Sequence, residues 1–354
     1  MGIYADRFGR RVALTRSILI VAFGSLLIAL CPTYATIGVA APAVLVLARV
    51  LQGLSLGGEY GTSATYLSEI AEEKHRGFYS SFHSVGQVGG QLLSLGIIVL
   101  LQGFLLSEGE MEAWGWRIPF AVAALTALVA LYVRSNIDET GSFQANAHRP
   151  ERGRLRELLR YPREMLLVAG LTVGGTICFY TYTTYMQKFM VNTTGFPRDT
   201  ATQISMLATL VYLCALPAVG ALSDRIGRRL VLILFGLGAT VTTVPIMTAL
   251  SHAHTAVAAL LLNLTALLIV TGYFSINAVV KAELFPAHIR ALGVALPFSV
   301  TVSLFGGTAE YVALWLKNAG HETWFFWYVS ACALVSLVTY VFMRDTKKHS
   351  QIVD

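Results

Sequence analysis

An all-helical membrane bundle made of two pseudo-symmetric halves is the fold class this sequence predicts. Three observations lead there. The 354 residues are 55% hydrophobic and 13% charged, where a soluble domain carries about 25% charged residues. The apolar residues gather into runs long enough to cross a bilayer, which takes about 20 residues. The basic residues fall on alternate connections between those runs, the pattern left when one side of a membrane holds them.

In chain order the runs are 14–31, 39–61, 79–105, 115–134, 165–188, 202–222, 230–250, 255–279, 291–315 and 324–343. The first is preceded by Asp6 and Arg7 and has no small-residue cleavage site, so it reads as a span and not as a signal peptide. The 79–105 run is rich in small polar residues, and its Gly86, Gly89 and Gly90 offer a surface for close helix packing. Pro217, Pro245 and Pro297 fall inside later runs, where spanning helices tolerate them. Twenty of the 26 basic residues lie on one set of connections, from Arg7, Arg10, Arg11 and Arg16 to Arg344, Lys347 and Lys348. The opposite connections hold the acidic Glu108, Glu110 and Glu112. Both termini and the linker are therefore expected in the cytoplasm. The chain divides into a first half of four spans (1–134), a linker (135–164, with Arg149, Pro150 and an amphipathic stretch at Leu155 to Leu159), a second half of six spans (165–343) and a tail (344–354).

The net charge of +6 sits beside lipid headgroups in this arrangement, so the expected surroundings are the bilayer and not nucleic acid. Cys31, Cys178, Cys214 and Cys332 have neither C-x-x-C nor Cys/His ligand spacing, so no metal and no disulfide are expected. No cofactor is expected, and no G-x-G-x-x-G, H-E-x-x-H or G-x-S-x-G motif supports an enzyme.

The pattern G-x-x-x-D-R-x-G-R-R at Gly2 to Arg11 recurs at Gly220 to Arg229, 218 residues on. Glu69 and Arg76 are seven apart, as are Glu283 and Arg290, 214 residues further. Two matches at nearly one offset indicate homologous halves. Gly9 and Gly227 permit tight turns. Asp6 and Asp224 can accept from backbone N–H groups at a helix start. Arg7, Arg10, Arg11, Arg225, Arg228 and Arg229 can pair with carboxylates of neighbouring helices such as Glu69 and Glu283. A latch that forms and breaks as the halves rock is expected from these groups with Arg76 and Arg290. The second loop has two spans of its half before it, and the first has none, so ten of an expected twelve spans are present. The expected cause is a start assigned too late, with about 60–80 further residues encoded in frame upstream; the alternatives are a fragment or a decayed gene.

These loops resemble those of the major facilitator superfamily. Arg49–Val50–Leu51–Gln52–Gly53, followed by Gly57–Gly58–Glu59–Tyr60–Gly61, resembles its metabolite:proton symporter family. The stretches Gly57 to Glu69, Trp114 to Phe120, Thr181 to Lys188 and Lys281 to Gly293 resemble the dicarboxylate carriers within it. The resemblance implies a monomeric, multi-pass protein of the bacterial inner membrane that takes up 2-oxoglutarate or a similar dicarboxylate with protons by alternating access. Citrate, shikimate or a zwitterionic osmolyte are the alternative substrates, and a receptor, an assembly protein or an inactive fragment the alternative functions.

Polar residues inside spans are the candidate site. Arg49 lies in an apolar helix, where a cation is costly unless it meets water or an anion, and a guanidinium binds a carboxylate through two parallel hydrogen bonds. Gln52 is three residues on, near the same face. Tyr180, Tyr185 and Lys188 crowd the outer part of one span and complete the expected substrate contacts. Glu59, His83 and Glu310 are the candidates for proton coupling. His83, Gln87 and Gln91 recur every four residues as one polar stripe. Lys281 and Glu283 precede Phe285–Pro286, and both are expected at the cytoplasmic turn, in gating or pairing.

Overall fold

A computed structural model describes residues 1–145 and 152–352. Arg149 and Pro150 of the linker lie outside the described residues. Ten helices, among those described, are long and apolar enough to cross a membrane. A short helix, α1 (Gly2–Phe8), leads into α2 (Arg10–Leu30). The other spans are α3 (Ala40–Ile70), α4 (Glu73–Leu105), α5 (Gly115–Ser135), α6 (Pro162–Asn192), α7 (Arg198–Ile226), α8 (Arg228–Ser251), α9 (Ala256–Ala282), α10 (Arg290–Asn318) and α11 (Glu322–Phe342). Each matches a predicted apolar run to within one residue or contains it, and most extend it at the polar ends, where capping and not hydropathy decides the boundary.

Local chemistry marks several helix ends. Ser107 and Glu110 form a capping box on the short helix Glu108–Ala113. Pro162 opens α6, at the position where its missing N–H costs nothing. Gly9 and Gly227, at φ 109° and 96°, turn the chain from α1 into α2 and from α7 into α8. A side chain there would be strained.

The first four spans and the last six meet along two seams. At one, α4 lies against α7; at the other, α1 and α3 lie against α10. The first glycine of each duplicated loop makes these crossings close. A Cβ on Gly220 would come within 2.6 Å of the carbonyl oxygen of Gly77, and one on Gly2 within 2.9 Å of the Cα of Leu292. The sequence reading assigned tight turns to the later glycines of these loops, and the crossing role of Gly2 and Gly220 adds to it.

The core lies mainly in the last six spans. Of their most apolar stretches 39–61% is buried, against 6–17% for α3, α4 and α5. Three of those six spans lose regular pitch: α6 widens to a π-turn at Tyr180–Tyr185, α10 does so at Val302–Gly306, and α9 breaks at Ser275–Ile276. Such departures commonly accompany functional sites.

Candidate functional site

The duplicated loops come together at one end of the bundle. The Asp6 carboxylate accepts from the backbone N–H groups of Ala291 (3.2 Å) and Leu292 (2.9 Å), at the start of α10. Asp224 does the same for Gly77 (2.8 Å) and Phe78 (2.9 Å), near the start of α4. Each aspartate thus caps a helix across the seam, where the N-terminal dipole favours negative charge. Arg10 sits 3.4 Å from Asp6 and 3.2 Å from Glu69, and Arg290 donates to the same Glu69 oxygen at 2.6 Å. Arg228 sits 2.7 Å from Asp224 and 3.7 Å from Glu283. Burial pushes Asp6 up to about 7, with Arg10 and the two N–H groups opposing it. Burial also lifts Glu283 above the ordinary carboxylate range, opposed by Arg228 and by the Thr346 hydroxyl. Arg76 is buried beside this cluster and adds to the field on Glu283. Arg11 and Arg229 turn instead to the carbonyls of Ser135, and of Tyr340 and Val341. Arg7 and Arg225 are exposed.

Away from this end, towards the bundle centre, a small cavity of about 30 Å³ is lined by Tyr60, Gln87, Thr176, Tyr180, Tyr273 and Asn277, with apolar neighbours that include Phe298. That is room for about two waters, so the space is nearly closed in this conformation. At its edge stands Lys281, fully buried. Its Nζ donates to Tyr60 Oη (3.0 Å), Tyr273 Oη (3.0 Å) and Asn277 Oδ1 (3.3 Å). It also lies 4.3 Å from the ring centre of Phe298, which stacks on Tyr60. Among the described residues no carboxylate pairs with it. An ammonium held only by neutral oxygens and ring faces is short of a counter-charge.

Lys281 therefore corrects the expectation that placed it at a turn. The break in α9 at Ser275–Ile276 starts a new helical segment at Asn277. From it the long side chain reaches back to Tyr273 and across to Tyr60. Tyr273, Asn277 and Lys281 are spaced by four residues, a polar stripe on one helix face that the sequence displayed.

The predicted substrate contacts do not converge. Tyr180 alone lines the cavity. Arg49 is exposed, its guanidinium 5.6 Å from the ring centre of Phe120. It stands eleven residues before Tyr60, about 16 Å along the helix. Gln52 donates to Ser25 Oγ on α2 at 3.1 Å. Tyr185 is buried against Phe189 and Phe325. Lys188 is ion-paired with Glu310. Glu59 pairs with Arg134 at 2.5 Å, and that guanidinium also donates to the carbonyl of Leu14. His83 hydrogen-bonds Ser63 Oγ through Nδ1 at 2.6 Å and stands edge-on to Tyr60, ring centres 4.9 Å apart.

The sequence pattern of the Major Facilitator Superfamily matches residues 1–309. The chain belongs to this superfamily. Among similar members is the alpha-ketoglutarate permease of Escherichia coli (strain K12), 49% identical over 347 residues that cover 98% of this chain and 80% of the permease. The citrate-proton symporter of Salmonella typhi is 33% identical over 347 residues, 95% of this chain and 78% of the symporter. Among solved superfamily structures, the proton:xylose symporter XylE bound to 6-bromo-6-deoxy-D-glucose superposes with a TM-score of 0.82 at 19% identity. That superposition covers 99% of this chain and 83% of XylE, and supports the fold.

Proposed function

We propose that this major facilitator is a secondary active transporter that carries 2-oxoglutarate, or a dicarboxylate of its class, into the bacterial cytoplasm together with protons. The buried Lys281 ammonium carries this reading. An arriving carboxylate supplies the missing counter-charge between the hydroxyls of Tyr60 and Tyr273. Asn277, Gln87, Tyr180 and Thr176 offer donors for the keto oxygen and the second carboxylate. The 49% identity to a permease named for the same diacid supports the substrate.

Alternating access follows from the two ends of the cavity. The clusters around Glu69 and Glu283 close the end with the duplicated loops, and they form the gate on that side. The basic connections put this end, both termini and the linker in the cytoplasm. His83 contacts Tyr60, which contacts Lys281, so it is the proton-accepting group tied to the site. A proton on its ring adds positive charge beside a dianion, and each then favours the other's binding. Glu59 and Glu310 are already paired. Arg49 and the Lys188–Glu310 pair belong to the approach from the opposite side, and one carrier molecule suffices.

Reconstituted uptake under an inward proton gradient tests this. Lys281→Gln should lower kcat/KM for 2-oxoglutarate at least about 100-fold, as expected when a buried charge partner is lost, while Lys281→Arg retains part of it. Uptake by Lys281→Gln at the parent rate would remove Lys281 from the site. Competition by citrate but not by 2-oxoglutarate would change the substrate.

A further inference from the structure

The spans that end the two parts of the chain are followed by matching dipeptides, Glu139–Thr140 after α5 and Asp345–Thr346 after α11, 206 residues apart. Their surroundings match as well. Arg11 donates to the carbonyl of Ser135 and Arg229 to that of Val341, positions again 206 apart, so the last arginine of each loop holds the end of a span. Glu139 accepts from the backbone N–H groups of Arg10 (3.0 Å) and Arg11 (3.1 Å), and caps α2. A Cβ on Gly9 would come within 2.2 Å of a Glu139 oxygen, and one on Gly227 within 2.4 Å of an Asp345 oxygen. Each acid therefore seats against the glycine of its own loop. The threonines are both 3% exposed. Thr140 donates to Glu69 Oε2 at 2.5 Å, and Thr346 to Glu283 Oε2 at 2.5 Å. Both hydroxyls leave the other carboxylate oxygen, Oε1, to face arginine.

We propose that Thr140 and Thr346 are positioning residues of the gate: each fixes the rotamer of a gate glutamate, so that linker and tail set how firmly the two parts of the chain are held shut. A glutamate side chain has several rotamers to lose on ordering. Here one oxygen is held by a hydroxyl whose own backbone is clamped by the preceding acid and by the next arginine. The remaining oxygen then meets Arg290 or Arg228 at little further ordering cost. The tail adds a second hold, since Arg290 Nη2 donates to the carbonyl of Gln351 (2.8 Å) and the N–H of Gln351 donates to the carbonyl of Glu283 (2.9 Å).

This rests on the alternating-access reading, and its test needs no substrate, so a gate that responds in a protein that transports something else separates the two. The probe is Ala64→Cys, at a position 0% exposed and clustered with Phe285, Ile289 and Leu292, in a chain whose own cysteines are replaced. Its labelling by an impermeant maleimide is timed in inside-out and right-side-out vesicles. Thr140→Val and Thr346→Val should each speed labelling from the loop side about tenfold, as loss of a hydrogen bond to a charged group implies. Thr140→Ser and Thr346→Ser should label at the parent rate. Parent-rate labelling of the valine variants overturns the proposal, as does fast labelling of the serine variants, which would assign the effect to the methyl group. Should a valine variant fail to insert, Glu139→Gln and Asp345→Asn loosen the clamp while keeping both hydroxyls. These should label about twofold faster, and parent-rate labelling of both overturns the proposal as well.

Discussion

The surroundings of Asp6 and of Asp224 share a motif, a positive-φ glycine and a helix capped across a seam, yet they hold charge differently. Asp6 is 0% exposed and 3.4 Å from its arginine; Asp224 is 9% exposed and 2.7 Å from its own. In the first copy the arginine turns from the aspartate to Glu69, which then stands between Arg10 and Arg290, cations from opposite sides of the seam. In the second copy Arg228 stays with Asp224 and Ser223, and its Nη2 faces Glu283 at 3.7 Å without a hydrogen bond. The repeat fixes backbone geometry closely. The arginine of the second copy therefore stands about half an ångström further from its glutamate than that of the first, 3.7 Å against 3.2 Å.

The largest expected break in this comparison is Glu69→Gln. It leaves Arg10 and Arg290 buried without their shared anion, which costs about 3–5 kcal/mol. Glu283→Gln removes a weaker partner and should cost about 1–2 kcal/mol. Thermal unfolding of both variants in one detergent measures the gap, and equal losses would make the two clusters equivalent.

The next effect is on pH. Burial raises Asp6 from its ordinary 3.8 to about 7, so closing at this end should take up a proton and opening should release it. Acid favours the closed state. From about 4 to about 7 each unit rise in pH should shift the balance towards open by up to tenfold, and above about 7 the slope vanishes. Spin-label distances across the α4–α7 seam, taken over that range, read this directly. Asp6→Asn should flatten most of the slope and leave the part due to Glu283.

The smallest effect concerns the last arginine of each loop. Arg11→Ala and Arg229→Ala each lose a helix-end interaction and should cost below about 1 kcal/mol. A larger loss for Arg229→Ala than for Arg11→Ala in the same unfolding assay would place more of the anchoring on the tail.

Spans and duplicated loops were legible because both are written in residue type and spacing alone. Hydropathy located each span, and Asp6, Arg10, Asp224 and Arg228 recur in register. The cavity was less legible for a rotational reason. A polar residue in a span advertises the cost of its burial, not the neighbour that relieves it. Gln52, Glu59 and Lys188 read as substrate or proton groups, yet Ser25, Arg134 and Glu310 occupy them. Lys281 escaped because a proline-marked turn follows it and the break in α9 precedes it. The matching acid–threonine steps escaped because a two-residue repeat carries little signal until Glu69 and Glu283 are seen bonded to them.

The break in α9 has a further consequence for what the cavity offers its contents. The carbonyl of Phe274 accepts from Asn277 Nδ2 at 2.7 Å, within its own helix, and from Ser84 Oγ at 2.5 Å, on α4. One of these stitches spans the two parts of the chain and the other does not. When α4 and α9 separate, the Ser84 hydroxyl is withdrawn and an acceptor is bared on the cavity wall, while Asn277 remains. The wall is then more electron-rich in the parted state than in the joined one, and a bound anion meets a repulsive oxygen as the way out opens. On the transport reading proposed above, the same movement that parts the two halves should weaken the hold on a bound anion.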